Sequence, residues 1–271
     1  MTGAFLVVFF AYLASFVLYF LNFELQNDRW LSVSKKLVAL ALLLHFAFLL
    51  GWILHKKSFA ITSLFESIYV VSFLVIMVSY LAEQNYRAKF LMLFSLPIVL
   101  ALCLLAAVLS QKSHAAPGAG GTGWLLLHTG FILAGLASLV TAVSGSVMYL
   151  LQSSQLKSKH LGRVFLKLPS LNSLDRLHFR SLCLGVVLFS LGILSGIFWA
   201  NNLRELGEVL KDPKVILSFF TCFLYWVVLS FRLSSLRRGQ KIAAGTVVVF
   251  LFLLVTLMSS YYAPSGFHKG F

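Results

Sequence analysis

The side chains best suited to chemistry in this sequence are its seven histidines, which are unevenly placed. His128 stands four residues after Trp124, just inside an apolar segment that follows the GTG run at 121–123. His45 lies near the middle of another apolar segment, and His55 lies at the end of that segment. A titratable ring in an apolar segment needs a hydrogen-bonding partner or a ligand, so His45 and His128 are the first candidates for function.

Apolar helices must position these rings, because the composition is that of a membrane protein. Hydrophobic residues make up 60% of the 271 positions and charged residues 11%, whereas soluble domains carry roughly 25% charged residues. The apolar stretches are long enough to cross a bilayer as helices, and they are continuous rather than alternating, which argues against a strand barrel. The sequence therefore predicts an all-α polytopic membrane protein, a single transmembrane domain over 1–271. Eight spans are predicted, near 3–23, 36–54, 64–82, 90–109, 124–151, 181–200, 214–231 and 242–262.

The basic residues predict the orientation of these spans. Of the 22 lysines and arginines, fifteen fall in the odd-numbered loops and seven in the even-numbered loops and the C-terminal tail. The positive-inside rule then places both termini outside, 110–123 as a flexible external loop and 152–180 as a cytoplasmic basic loop. This sorting accounts for the net charge of +14 without a nucleic-acid partner, and we expect the basic loop to lie against anionic lipid headgroups. The compartment is expected to be the bacterial cytoplasmic membrane.

Four of the histidines are expected at the outer surface. Trp124 suits the membrane interface, and His128 should lie about 6 Å below it. His55, His114 and His268 are predicted on the same side. Imidazole is a good axial ligand for haem iron, so two of these rings on separate helices could hold one iron. The alternative is structural: a neutral His128 that bonds a carbonyl group of a neighbouring helix.

The remaining titratable and thiol side chains favour structural roles. His45 should be a neutral ring with hydroxyl or carbonyl partners, and an inner haem ligand is the alternative. The hydroxyl candidates are Ser15, Ser72 and Ser79. His160 and His178 are expected at the solvent or the headgroups. The thiols of Cys103, Cys183 and Cys222 form no Cys-x-x-Cys pair and are expected to be apolar filler.

Local patterns predict how some helices begin and pack. Gly192 and Gly196 have the spacing that lets another helix approach closely. Ser63 and Glu66 fit a capping box at the start of span three. Leucines recur at 168, 171, 174 and 177, which predicts a short amphipathic helix at the membrane surface.

Catalysis and transport receive little support from the sequence. It contains no nucleophile elbow, phosphate loop or His-Glu-x-x-His motif, so no enzyme activity is predicted. A small-molecule transporter stays an alternative, since Pro97 interrupts span four.

Longer runs resemble a known family. The runs are LLHTGFILAGLASLVTAVSGSVMYLLQSSQLKSK, LPSLNSLDRLHFRSLCLGVVLFSLGILSGIFWA, DPKVILSFFTCFLYWVVLSFRL and SGFHKGF. Their order is similar to that in the cytochrome c assembly family of membrane proteins (CcsA, ResC and CcmC), over about 124–271. The resemblance implies a CcsA/HemX-like helix bundle in which two outward histidines coordinate haem iron. By position these are His128 and His268, with Trp124 and Trp199 as the nearby aromatic residues.

One segment departs from the family pattern. Of the tryptophan-rich external segment, Asp212, Pro213 and Lys214 survive in ANNLRELGEVLKDPKV, and Ser230 stands where the family has a histidine. This argues against full haem-lyase activity and favours the HemX-type branch, which includes YpjD. The resemblance implies haem handling with weak or transient haem binding, and partners in cytochrome c assembly or haem biosynthesis. The alternative is a membrane regulator of haem biosynthesis, acting on the level of glutamyl-tRNA reductase, that binds no haem.

Overall fold

Eight long helices make up most of the protein. A computed structural model describes residues 2–25, 28–56, 61, 63–110, 123–158, 167–202, 206–234 and 239–262, which contain no strand. The helices are α1 (Thr2–Leu25), α2 (Asp28–Lys56), α3 (Leu64–Asn85), α4 (Leu91–Ser110), α5 (Gly123–Lys157), α6 (Leu171–Asn202), α7 (Pro213–Ser234) and α8 (Gln240–Tyr262). All eight are long and apolar enough to cross a membrane, which confirms the all-α fold and the number of spans. His114, His160 and His268 lie outside the described residues.

Helix α5 is the central element of the bundle. It packs most extensively against α6 and also contacts α3, α4 and α8. Its middle section, 135–146, is buried without interruption, and small side chains such as Ala137 and Ser138 predominate there. Small residues let the surrounding backbones come close, which is how helices associate in lipid.

Successive helices run in opposite directions, so the bundle has two ends. Tyr19 near the end of α1 hydrogen-bonds Glu83 near the end of α3, and these residues mark the Glu83 end. His128 near the start of α5 meets the last turns of α6, and it marks the His128 end. The positive-inside rule predicts that the Glu83 end is cytoplasmic and the His128 end external.

The capping box at the start of α3 forms in part. The Glu66 backbone N–H donates to Ser63 Oγ at 3.2 Å, which confirms the serine cap. The Glu66 carboxylate, however, accepts from Lys56 Nζ at 2.6 Å and from Trp52 Nε1 at 3.1 Å, both on α2. Glu66 therefore joins two helices in addition to its place in the cap.

The leucine repeat at 168–177 is not a separate surface helix, so that prediction is wrong. Helix α6 begins at Leu171, ten residues earlier than predicted, and continues to Asn202. Leu174 and Leu177 are fully buried, and they pack with Leu91 and Met148. The repeat has the period of a helix face, but that face meets the protein interior rather than lipid headgroups.

His178 is also placed differently from its prediction. The residue is 3% exposed, and its Nε2 lies 2.9 Å from Thr246 Oγ1 on α8. The flanking cations Arg176 and Arg180 suggested a solvated segment, but both face away from the core and are exposed. The prediction that His178 is solvated is therefore wrong.

Candidate functional site

Helices α5 and α6 come into close contact at several glycines, two of which lie near His128. A Cβ atom at Gly196 would lie 2.6 Å from His128 Nδ1, and one at Gly192 would lie 2.6 Å from Ile132 Cδ1. No side chain fits at either position unless its neighbour moves. The close helix approach predicted from the Gly192–Gly196 spacing is confirmed, and it presses the His128 ring against α6.

His128 is fixed by a hydrogen bond across this contact. Its Nδ1 lies 2.7 Å from the Gly192 carbonyl oxygen. A carbonyl oxygen only accepts, so Nδ1 carries the proton and Nε2 of the neutral ring carries the lone pair. Nε2 makes no hydrogen bond with any described residue and is not sealed inside the protein. A structural role for His128 predicts this bond to a carbonyl group of a neighbouring helix. The same bond also leaves Nε2 available as a ligand.

Three aromatic rings lie at the His128 end of the bundle, and one of them is paired with His128 itself. The Trp199 ring lies nearly parallel to the imidazole, with centroids 6.4 Å apart and 23° between the planes. Trp124 stacks on Phe198 at 5.7 Å, and both rings are exposed. The structure thus brings together three residues that the sequence singled out, His128, Trp124 and Trp199. Phe198 was missed, although its position beside Trp199 at the end of a span could have indicated it.

A cation completes the described part of this site. Helix α7 begins at Pro213, and the Lys214 backbone N–H donates to Asp212 Oδ1 at 2.9 Å. The Lys214 ammonium is close enough for its charge to act on the His128 ring. The Asp212–Lys214 segment therefore lies within electrostatic range of the imidazole.

The other outer histidines do not join this group among the described residues. His55 on α2 is exposed, and no described hydrogen bond or ring contact links it to His128. No cluster of three or more histidine, cysteine or acidic side chains occurs in the described ranges. His268, the predicted second ligand, falls outside them.

His45 occupies a different kind of site. It is fully buried, and its Nδ1 lies 3.0 Å from the Tyr12 hydroxyl. The ring packs on Tyr69 at 4.1 Å and on Phe73 at 5.4 Å. The predicted partners are wrong: Ser15 and Ser72 donate to carbonyl groups within their own helices, and Ser79 pairs with Thr141.

The neighbours of His45 determine its tautomer. The Tyr12 hydroxyl needs an acceptor, and His45 Nδ1 is its described partner, so the phenol donates and Nε2 carries the ring proton. Nε2 is buried and has no hydrogen-bond partner among the described residues. A protonated Nε2 is not a metal ligand, in contrast to the bare Nε2 of His128.

The fold is that of a multi-pass membrane protein. Near one end of the α5–α6 pair, the half-exposed imidazole of His128 packs against a glycine of α6. The sequence model described as cytochrome C assembly protein matches residues 33–268. The chain therefore belongs to the cytochrome c assembly protein family.

Individual relatives agree with this assignment. Protein HemX of Brevibacillus brevis is 27% identical over 263 residues, which cover 96% of this chain and 94% of the relative. Protein HemX of Bacillus subtilis is 24% identical and covers 90% of this chain and 89% of the relative. The cytochrome c biogenesis protein CcsA of Prochlorococcus marinus strain MIT 9301 is 27% identical, with 78% of this chain and 75% of the relative covered. The chain is similar to both HemX and CcsA.

Proposed function

We propose that the protein handles haem for cytochrome c biogenesis, and that His128 is an axial ligand of the haem iron. The observation that carries the proposal is the bond between His128 Nδ1 and the Gly192 carbonyl oxygen. Metal-ligating histidines almost always donate their second ring N–H in this way, which fixes the tautomer and orients the ring. Family membership supports the same role.

The surroundings of His128 suit a porphyrin. Exposed or half-exposed rings of Trp124, Phe198 and Trp199 offer flat apolar surface for the macrocycle. Lys214 supplies a positive charge for a propionate group. Haem, as cargo of the protein, would bring an iron that accepts imidazole nitrogen. His268 is the proposed second ligand, by its position in the family pattern.

The proposed binding is weak. The tryptophan-rich external segment of the family is missing here, so the macrocycle has fewer rings to contact. Transient binding suits a protein that passes haem to a further member of the assembly or biosynthesis machinery.

Titration of the purified protein with haem tests this function. The wild type should show a Soret shift, which should be lost when both His128 and His268 are replaced by alanine. His55→Ala is the matched control, since it removes an exposed histidine at the same end, and it should leave the titration unchanged. A wild type that shows no shift would favour the regulator that binds no haem. An unchanged titration in the double variant would remove these two ligands from the site.

The proposed orientation places the haem site outside the bacterial cytoplasmic membrane, with both termini on that side. Gly123 and Ser158 are both exposed and flank opposite ends of α5. In a background without native cysteines, an impermeant thiol reagent on intact cells should label Gly123→Cys and spare Ser158→Cys. The reverse labelling would place the His128 end in the cytoplasm.

A further inference from the structure

A group of four cations projects from the Glu83 end, away from the His128 site. Arg87 and Lys89 lie in the turn between α3 and α4, and Arg176 and Arg180 lie one turn apart on α6. The Arg180 guanidinium carbon is 5.5 Å from the centroid of the Tyr86 ring, which caps α3. This contact brings the two pairs together, and we call the four residues the basic cluster.

A packed core beneath the basic cluster holds it in place. Buried Leu174 and Leu177 of α6 pack in one group with Ala88 and Leu91, which flank the cationic side chains of the turn. The turn is tightly hydrogen-bonded: Ala88 N–H donates to the Glu83 carbonyl oxygen at 3.1 Å. Arg87 itself has a left-handed backbone, with φ 50°. The cluster is therefore built on rigid elements rather than on a loose tail.

Its charges are uncompensated within the described chain. All four side chains are exposed. The ion pairs among the described residues are Lys35–Glu83, Lys56–Glu66 and Arg232–Asp175, and none involves the cluster. Asp175, which adjoins Arg176, pairs with Arg232, and Glu83 turns inward to Tyr19 and the Met92 backbone N–H.

We propose that the basic cluster binds the phosphate headgroup of an anionic phospholipid. It lies at the ends of spanning helices, which is the depth of headgroups in a bilayer. Three guanidinium groups form forked donors that match phosphate oxygens, and the lysine adds a fourth charge. The half-exposed Tyr86 ring provides an amphipathic surface suited to the interface. This site is independent of haem.

Native mass spectrometry of delipidated protein in detergent tests the proposal. Phosphatidylglycerol should bind more tightly than phosphatidylcholine. The double variant Arg87→Ala and Arg180→Ala should weaken phosphatidylglycerol binding by roughly tenfold, since each cation near an anionic surface contributes several-fold. Lys36→Ala with Lys241→Ala is the matched control, because it removes two exposed cations of the same end outside the cluster. Equal weakening in both double variants would overturn the proposal.

A charge-conserving variant and a competition with phosphate test the same site. The double variant Arg87→Lys and Arg180→Lys keeps both positive charges and should retain most of the preference for phosphatidylglycerol. If this lysine variant binds the lipid, a loss of binding in the alanine variant reflects the missing charges and not a folding defect. Excess inorganic phosphate should displace little of the lipid. Complete displacement by phosphate, or no preference over phosphatidylcholine, would contradict a phospholipid site.

Discussion

Two buried or half-buried histidines of this protein sit in helix contacts of opposite kinds. His128 meets α6 where glycines bring the backbones together, and its Nδ1 donates to a main-chain carbonyl group. His45 meets α1 and α3 through large aromatic side chains, and its Nδ1 accepts from the Tyr12 hydroxyl. The first arrangement leaves a bare Nε2 that has access to the surface, whereas the second leaves a buried Nε2–H.

The contrast extends to the helices that carry the two rings. Polar contacts join the first four helices at Glu83 of α3. Its carboxylate accepts from the Tyr19 hydroxyl of α1 and from the Met92 backbone N–H of α4, and Lys35 Nζ of α2 lies 3.7 Å away. The α5–α6 pair depends instead on close backbone contact at its glycines. The same residue type thus serves packing in one region and, in the proposed function, ligation in the other, because the partner of Nδ1 sets the state of Nε2.

The largest effect is expected at Glu83, which is 2% exposed. Glu83→Ala leaves the Tyr19 hydroxyl and the Met92 N–H without their acceptor and removes the counter-charge of Lys35. We expect a loss of about 3 kcal/mol in the free energy of unfolding, measured by denaturation in detergent. Glu24→Ala, at an exposed position near the same end, should change it by less than about 0.5 kcal/mol. Equal effects would show that the polar contacts of the N-terminal helices are dispensable.

Gly196→Ala tests the opposite kind of contact. The added Cβ would meet His128 Nδ1 at 2.6 Å, so the ring must leave the Gly192 carbonyl group. We expect a loss of about 1–3 kcal/mol together with weaker haem binding. Gly130→Ala on α5 has no atom within 4 Å of its added Cβ and should be neutral or stabilising by up to about 1 kcal/mol. If both variants behave alike, close packing does not hold His128.

A smaller effect is expected for Tyr12→Phe. It removes the donor to His45 Nδ1 and nothing else from the aromatic contact, which corresponds to about 1 kcal/mol of unfolding free energy. Tyr225 also has a buried hydroxyl, but that hydroxyl has no hydrogen-bond partner among the described residues. Tyr225→Phe should therefore be neutral or slightly stabilising under the same denaturation conditions. A larger loss at Tyr225 than at Tyr12 would show that the Tyr12–His45 hydrogen bond does not stabilise the protein.

Features that depend on the pattern along one helix could be predicted from the sequence, whereas the contacts between helices were harder to predict. Continuous hydrophobicity predicts eight helices, and the small residues at 192 and 196 predict the close α5–α6 contact. The buried position of the leucines at 168–177 could not be predicted from their spacing. Helical spacing shows that the leucines share one face, but it does not show whether protein or lipid covers that face. The partners of His45 were also beyond prediction, since a hydroxyl on another helix is chosen by three-dimensional packing.

Within the candidate site, the tryptophans and His128 were predicted as neighbours, and a carbonyl group of a neighbouring helix was one predicted partner of His128. The particular carbonyl group, that of Gly192, was not predicted. A backbone carbonyl group is present at every position and leaves no trace in the sequence. The proposed ligand role of His128 nevertheless depends on that bond.

Replacement of each histidine by methionine, a different haem ligand, tests the central claim most directly, since it separates ligation from a general loss of structure. With haem bound, His128→Met should shift the absorption and electron paramagnetic resonance spectra to those of a new axial ligand set. His45→Met should leave the spectra of the wild type unchanged. A spectrum that changes at His45 and stays the same at His128 would contradict the assignment of His128 as the iron ligand.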